Sequence, residues 1–231
     1  MEQIKERLLE ELSTPTVFTI PLLGGIPVTL SVVVSWVVMA ALILASLLLT
    51  RKLKVRDPGK VQTALEWAVQ FLNNFASSTM GEKGKVFAPY LGAVGLYIIL
   101  SNIIGIFGLV PPTKDLNVTA ALAVMSAFLI YGAQFRYHGF LGGMKKFAQP
   151  MALLVPINLM EIVIRPLALC MRLFGNILGA FIIMELIKLL VPVVVPVPFS
   201  IYFDLFDGGI QAVVFVFLTA LFTGESIQTE E

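Results

Sequence analysis

Three long stretches of this sequence contain no charged side chain. They cover residues 28–50, 86–113 and 116–135, and about 20 consecutive apolar residues are enough for a helix to cross a membrane. Across all 231 residues, 58% are hydrophobic and 13% are charged, whereas a soluble domain carries about 25% charged residues. The sequence therefore predicts an all-α membrane protein, and it excludes a soluble globular protein and a disordered one.

The C-terminal part of the chain is apolar as well, but charged residues and the proline-rich stretch 191–198 interrupt it. That stretch separates two predicted spans, at about 148–190 and 199–223. A helix over 148–190 would reach about 60 Å at 1.5 Å per residue, whereas the hydrocarbon core is about 30 Å thick. The sequence thus predicts a strongly tilted, bent or broken helix there, with Pro156 and Pro166 as candidate bends.

Basic residues indicate the orientation of the chain, because cytoplasmic loops carry an excess of lysine and arginine. Clusters of these residues lie at 51–60, 83–85 and 136–146, which predicts that the N-terminus is outside and the C-terminus in the cytoplasm. A short surface helix is expected over 1–12. The predicted organisation is an external segment 1–27, a single membrane domain 28–223 with five spans at about 28–50, 86–110, 116–135, 148–190 and 199–223, and a cytoplasmic tail 224–231.

Residues 59–81 lie between two of the basic clusters, so they are not expected to cross the membrane. Apolar side chains recur there at helical spacing, and polar side chains take the other faces. The apolar positions are Val61, Leu65, Ala68, Leu72 and Phe75. This pattern predicts an amphipathic helix that lies on the cytoplasmic interface of the membrane. The alternative is a loop that packs against other subunits.

Charged residues inside membrane spans are costly and usually mark an ion path or a partner. At about 100° per residue, one face of the fourth span carries Glu161, Arg165, Arg172 and Asn176. Glu161 and Arg165 are four residues apart and could pair with each other, which would make their role structural. Arg172 has no acid three or four residues away on its own helix, so we expect its partner on another helix or another chain.

Two further sequence features accompany this charged face, one in the same span and one in the fifth span. Gly175 and Gly179 follow Arg172 closely, and small residues let a second surface approach. In the fifth span, Asp204, Asp207 and Gln211 fall within about 60° of one another on a helical projection, which predicts a second polar face.

The stretch EIVIRPLALCMRLFGN at 161–176 resembles the signature E-x-x-x-R-P-x-x-L-x-x-R-L-F-G-N of subunit a of F-type ATP synthases. Three more segments are similar to motifs of that family and follow the same order along the chain. They are SNIIGIFGLVPP at 101–112, KDLNVTAALA at 114–123 and IQAVVFVFLT at 210–219. The resemblance, together with the five-span topology, extends from about residue 30 to residue 223.

The resemblance implies a stator subunit without a catalytic site of its own, pressed against a ring of c subunits that each carry one membrane carboxylate. The last two spans would face that ring, and two half-channels would exchange protons or sodium ions with its carboxylates. The family's essential arginine matches Arg172, whereas Asn176 and Gln211 match polar residues of the ring contact and the outer channel. Further implied partners are the b subunits of the peripheral stalk, the other ATP synthase subunits and the lipid of a bacterial plasma membrane.

In the outer channel, the sequence departs from one bacterial pattern of the family. A glutamate nine residues after the arginine is replaced by Phe181, and a histidine seven residues before the glutamine is replaced by Asp204. The nearest acid to Phe181 is Glu185, and Asp207 is additional. The hypothesis is that Glu185 with Asp204 or Asp207 carries ions between the outside and the ring. The alternative is that Lys188 pairs with Glu185 and that no ion passes there.

Two other functions fit parts of the sequence, namely a stand-alone secondary transporter and a structural membrane subunit whose charges are only assembly contacts. A transporter would be expected to have paired broken segments in both halves, yet the first three spans are almost free of charge. No P-loop motif is present, and the single cysteine and histidine, Cys170 and His138, argue against a metal site. The net charge of +1 gives no reason to expect nucleic acid, and no cofactor is predicted.

Overall fold

The computed structural model of the chain describes residues 15–21, 26–55, 57–107, 109–146, 155–190 and 196–228. An antiparallel hairpin comes first, with strands β1 (Thr16–Ile20) and β2 (Ile26–Thr29). The sequence patterns above predict no strand, because a single pair of four to five residues gives too little alternation to stand out beside long apolar runs. The surface helix expected over 1–12 lies outside the described residues.

The helices follow the hairpin in sequence order. They are α1 (Leu30–Thr50), α2 (Lys60–Met80), α3 (Ala88–Ile103), α4 (Leu116–Lys146), α5 (Val155–Leu190), α6 (Pro196–Ser200) and α7 (Gly208–Ile227). Short 3₁₀ turns cover Glu82–Phe87, Ile104–Phe107 and Pro112–Lys114, and a π-helical turn, Ile201–Asp207, joins α6 to α7. Within the described ranges, five segments are long and apolar enough to cross a membrane: Leu30–Thr50, Glu82–Phe107, Leu116–Lys146, Val155–Lys188 and Pro198–Ile227.

The prediction of a helical protein with five apolar spans is confirmed. The helix α4 continues to Lys146 beyond the predicted third span, and Gly139 interrupts it with a φ of 68°, a value that favours glycine. The helix α5 runs through Pro166 without ending, and Pro156 lies in its first turn, where the missing N–H is tolerated. With 36 residues, α5 is about 54 Å long, so it exceeds the thickness of a hydrocarbon core.

A helix also covers most of the segment for which an amphipathic helix is predicted. It ends before Gly81, whose φ of 76° suits glycine and stops the helical path. From Val61 to Phe71, α2 exposes large apolar side chains, among them Trp67 and Phe71, which are 70% and 58% exposed. Its last turn is instead buried at Ala76 and Met80. One end of α2 is therefore anchored in the protein while the other presents an apolar surface.

The chain divides into two compact units, and each unit combines several segments. The first unit contains the described residues within 1–41, 97–119 and 171–212, and the second those within 42–96, 120–170 and 213–231. In the second unit, the core residues come from α2, α3 and α7. They are Ala76, Met80, Ala88, Leu91 and Ala220. Gly224 permits this packing, because a Cβ there would lie 2.9 Å from the carbonyl oxygen of Thr79.

In the first unit, Asp115 organises the start of α4. Its Oδ1 accepts a hydrogen bond of 2.9 Å from the backbone N–H of Asn117, and its Oδ2 accepts one of 2.9 Å from Thr29 Oγ1 on β2. An aspartate at this position satisfies an N–H group that has no partner inside the helix. The same side chain therefore caps α4 and holds the hairpin to it.

Candidate functional site

The first unit contains a cavity of about 540 Å³ with several ionisable side chains in its lining. Its walls come from the end of α3, the loop before α4, the second half of α5, and α6 with the π-helical turn. The ionisable lining residues are Lys114, Glu185, Lys188, Asp204 and Asp207. The three acids are those that the sequence hypothesis assigns to the outer channel, so residues from two predicted spans share one cavity.

Glu185 lies near the end of α5, and its side chain is 17% exposed. Lys188 Nζ lies 2.5 Å from Glu185 Oε1, so the pairing that the sequence analysis gives as the alternative is present. Both side chains nevertheless line the cavity. The ion pair therefore does not remove Glu185 from the cavity lining, and ion passage at Glu185 stays a prediction.

Asp204 is carried by the π-helical turn, a wider form of helix that often occurs at functional sites. Ser200 Oγ donates a hydrogen bond of 2.7 Å to Asp204 Oδ2. The other carboxylate oxygen lies against Gly105, where a Cβ would be only 3.0 Å from Asp204 Oδ1. The absence of a side chain at Gly105 thus makes room for the carboxylate.

Asp207 is the last residue of the π-helical turn. Its Oδ2 accepts a hydrogen bond from the side-chain amide of Asn176 on α5. A hydrogen bond to a carboxylate is stronger than one between neutral groups. This contact joins Asn176, which the sequence places on the face of Arg172, to an acid of the cavity.

Gln211 is not among the residues that line the cavity, although the sequence predicts it on the same face as Asp204 and Asp207. That projection assumes 100° per residue, and a π-helical turn has more residues per turn, so it does not apply across 201–207. The Oε1 atom of Gln211 is buried and has no hydrogen-bond partner in the part of the chain that the structure describes. Such an acceptor costs roughly 1–3 kcal/mol unless water or another group satisfies it.

Asn102 positions the start of α7 beside the cavity. It is almost fully buried; its Oδ1 accepts a hydrogen bond of 2.8 Å from Thr113 Oγ1, and its Nδ2 donates one of 3.1 Å to the carbonyl oxygen of Gly208. A Cβ on Gly208 would lie 2.6 Å from the Cβ of Asn102, so this close approach requires glycine. Asn102 lies in the segment 101–112, which resembles a family motif, but its role could not be predicted from the sequence.

Lys114 is a second lining residue for which the sequence predicts no role. It is 6% exposed, and its Nζ lies 3.3 Å from the centroid of the Phe181 ring, a cation–π contact. The ring at the position where one family pattern has glutamate is therefore covered by a cation. One sequence feature could have pointed to a role for Lys114: it is the single basic residue between Lys85 and Arg136 in the sequence.

Arg172 lies on α5 with an exposed side chain. Among the residues that the structure describes, none forms a hydrogen bond or an ion pair with it. The positions Gly175 and Gly179 have open space, because a Cβ on either would meet nothing within 4 Å. Met171 beside them is 50% exposed. Arg172 is thus a cation on an open, mostly apolar helix face.

Arg165 has a different environment, in the second unit. Its Nη2 lies 2.5 Å from Glu161 Oε2, so the pair that the four-residue spacing allows is present, and its Nη1 lies 3.1 Å from Glu225 Oε2. The guanidinium carbon also lies 4.8 Å from the centroid of the Phe222 ring. Lys146 Nζ donates to the carbonyl oxygen of Glu225 as well. Arg165 is therefore engaged in joining α5 to the end of α7.

Within the described residues, no group of three or more histidine, cysteine, aspartate or glutamate side chains is placed to hold a metal ion. Residues 32–224 match the sequence model of a family described as ATP synthase A chain. A relative from Propionigenium modestum named "ATP synthase subunit a, sodium ion specific" is 34% identical over 223 residues. That alignment covers 90% of this chain and 77% of the relative.

Proposed function

Because the chain belongs to the family of ATP synthase A chains, we propose that it is the ion-translocating stator subunit of a rotary F-type ATP synthase. Its partners are the other subunits of that complex. It has no catalytic role in ATP chemistry, which takes place on other subunits. Its own task is to exchange ions with the carboxylates of a c-ring, so that ion flow turns the ring and drives ATP synthesis.

The exposed Arg172 is the observation that carries this proposal. A charge inside a membrane is expensive unless a partner or water meets it, and the described part of the chain offers Arg172 no carboxylate. Its helix face is open at Gly175 and Gly179, so another surface can approach closely. A ring of c subunits, each with one membrane carboxylate, supplies both the surface and the opposite charge.

The electrostatics of such a contact couple the movement of the ring to the release of an ion. A ring carboxylate that faces lipid must be neutral, because an isolated charge in hydrocarbon is costly. Beside Arg172 the ionised form is favoured by the opposite charge, so the carboxylate releases its ion there. The fixed positive charge also opposes direct passage of a cation between the two half-channels. One charge that moves through 100 mV yields about 2.3 kcal/mol, so several ions are needed for each ATP.

The cavity of the first unit is the proposed outer half-channel. Glu185, Asp204 and Asp207 line it, and Asn176 links Asp207 to the helix that carries Arg172. In this role, Glu185 with Asp204 or Asp207 exchanges ions between the external side and the ring. The transported ion is a proton or, as the name of the relative states for that protein, sodium. ATP synthesis that stops in sodium-free buffer decides for sodium.

We further propose a bacterial plasma-membrane topology with the N-terminus outside and the C-terminus in the cytoplasm. In this arrangement 1–27 is external, 28–223 is the membrane domain and 224–231 is a cytoplasmic tail. The helix α2 lies on the cytoplasmic interface, where the exposed Trp67 and Phe71 contact lipid. The last two spans face the c-ring, and the b subunits of the peripheral stalk contact the remaining surface.

The test of the function is the substitution of Arg172 in the complete ATP synthase. Arg172→Ala is expected to abolish both ATP synthesis and ATP-driven ion pumping in membrane vesicles while the complex still assembles. Arg172→Lys is expected to fail nearly as completely, because an ammonium differs from a guanidinium in reach and hydration. The matched control is Arg136→Ala, which removes another exposed arginine on α4 and should leave pumping intact.

Three outcomes separate the competing functions. A stator conducts only together with its ring, whereas a secondary transporter works alone after reconstitution in liposomes. A structural subunit retains coupled transport when Arg172 is lost. Vesicles of the Arg172→Lys variant that pump at the wild-type rate would overturn the assignment.

The topology is tested by labelling single cysteines that replace Gln62, Glu66 or Asn73 on α2, in a Cys170→Ser background. A membrane-impermeant maleimide should label them only from the cytoplasmic side, because α2 does not cross the membrane. The three positions are polar residues of the same helix. Labelling from the external side would show that the topology is wrong.

A further inference from the structure

Two bases share the cavity with the three acids, and the function proposed above uses neither of them. Lys188 lies 2.5 Å from its neighbour Glu185. Lys114 comes from a different element, the 3₁₀ turn Pro112–Lys114 before α4. It reaches across the cavity lining to α5, where it covers the Phe181 ring.

The position of this ammonium along α5 follows from the helix geometry. Phe181 lies five residues after Asn176 and four before Glu185, which corresponds to about 7.5 Å and 6 Å along the helix. Asn176 holds Asp207, so Lys114 places a positive charge between the level of Asp207 and the level of Glu185. Burial of an ammonium is costly without compensation, and the aromatic face stabilises it there.

The charge of the cavity then depends strongly on Lys114. With all groups ionised, three carboxylates face two ammonium groups, and the cavity carries one net negative charge. Without Lys114 it would carry two. A site on a conduction path must attract its ion enough to admit it and hold it weakly enough to release it.

We infer that Lys114 is a positioning residue of the outer cavity, whose fixed positive charge on the Phe181 ring keeps the carboxylates from trapping the cation that passes. This inference rests on the proposed function. According to this inference, transport depends on the balance between the carboxylates and the ammonium groups of the cavity, and not on the carboxylates alone. In this role, the passing ion exchanges only with the carboxylates and with water.

The experiment compares Lys114→Gln with Lys114→Arg in the assembled ATP synthase. Transport is measured in vesicles with the external face accessible, while Ca²⁺ is added to that face, and rates are normalised to assembled complex. Lys114→Gln should transport more slowly and be inhibited by Ca²⁺ at a concentration about tenfold lower than wild type, because one repelling charge is gone. Lys114→Arg retains the positive charge and the contact with the aromatic ring of Phe181, and should resemble wild type.

The inference is overturned if Lys114→Gln tolerates Ca²⁺ as wild type does, or if Lys114→Arg is as sensitive as Lys114→Gln. If Lys114→Gln does not assemble, Lys114→Met takes its place. Failure of both neutral variants to assemble, with Lys114→Arg intact, would make the residue purely structural and would also overturn the inference. The variant Arg172→Ala is measured in parallel, so that failure of the proposed function can be distinguished from failure of the role of Lys114. Transport by Arg172→Ala contradicts the proposed function. If Arg172→Ala is inactive and Lys114→Gln transports and tolerates Ca²⁺ as wild type does, only the role of Lys114 is contradicted.

Discussion

Asn176 and Asp207 are hydrogen-bonded to each other although 31 residues separate them in the chain. Asn176 lies on α5 one turn after Arg172, and Asp207 ends the π-helical turn before α7. Four residues of helix correspond to about 6 Å, so a carboxylate of the cavity is held one helical turn along α5 from the level of Arg172. The amide is thus placed to fix where the proposed outer channel ends.

We expect Asn176→Leu to reduce ATP-driven pumping about tenfold, because Asp207 loses a hydrogen bond to a charged group worth roughly 1.5–3 kcal/mol, and 1.4 kcal/mol is a factor of ten. Asn176→Asp keeps the size but replaces the donor by a like charge, and should be at least as slow. Pumping in vesicles with equal amounts of complex measures both. The control is Asn73→Leu, on α2 and outside the cavity. Wild-type pumping by Asn176→Leu would show that this contact has no part in transport.

Gly105→Ala tests the space that Asp204 occupies. The new Cβ would lie 3.0 Å from Asp204 Oδ1 and 3.1 Å from its Cγ, which is closer than ordinary van der Waals contact, so the carboxylate must move by a few tenths of an ångström. We expect pumping to fall between about threefold and tenfold, less than the roughly hundredfold effect of a 1 Å misplacement.

The matched control for this variant is Gly132→Ala on α4. A Cβ at Gly132 meets nothing within 4 Å, so the same added methyl group should leave both pumping and assembly unchanged. If Gly105→Ala pumps normally while it assembles normally, the position of Asp204 is not critical and the proposed relay does not depend on it.

The long helices of this protein could be predicted from the sequence, because a membrane span requires a long run of apolar residues and such a run is visible in the sequence. The charge-free run 28–50 corresponds to α1, and the Glu161–Arg165 pair follows from a spacing of four residues on a helix. Both are local properties, which depend on one segment at a time. That no acid lies three or four residues from Arg172 on its own helix could be read from the sequence for the same reason, and none of the described residues pairs with it.

The contacts of the cavity could not be predicted, because each of them joins distant segments. Lys114 reaches Phe181, and Asn102 binds the carbonyl group of Gly208; no spacing along the chain encodes either pair. The π-helical turn Ile201–Asp207 also changes the angular period, so a projection at 100° per residue does not give the angle between Asp204 and Asp207. A regular projection fails wherever the backbone leaves the α-helical path.

The acids of the cavity are tested together by the triple variant Glu185→Gln, Asp204→Asn, Asp207→Asn. The substitutions keep the size of each side chain, so the contacts with Ser200 and Asn176 can be replaced by amide hydrogen bonds and assembly should be retained. The cavity would then hold only the two lysines among its ionisable lining residues, and its positive charge would repel cations.

We expect coupled transport by this triple variant to fall at least about hundredfold, since the two remaining positive charges at close range oppose a cation by several kcal/mol at an effective dielectric constant near 20. ATP synthesis driven by an imposed ion gradient measures the loss. The control is the double variant Glu66→Gln, Glu82→Gln, which neutralises two exposed acids outside the cavity and should synthesise ATP normally. Normal synthesis by the triple variant would mean that these carboxylates are structural, and that ions reach the ring by a route that avoids this cavity.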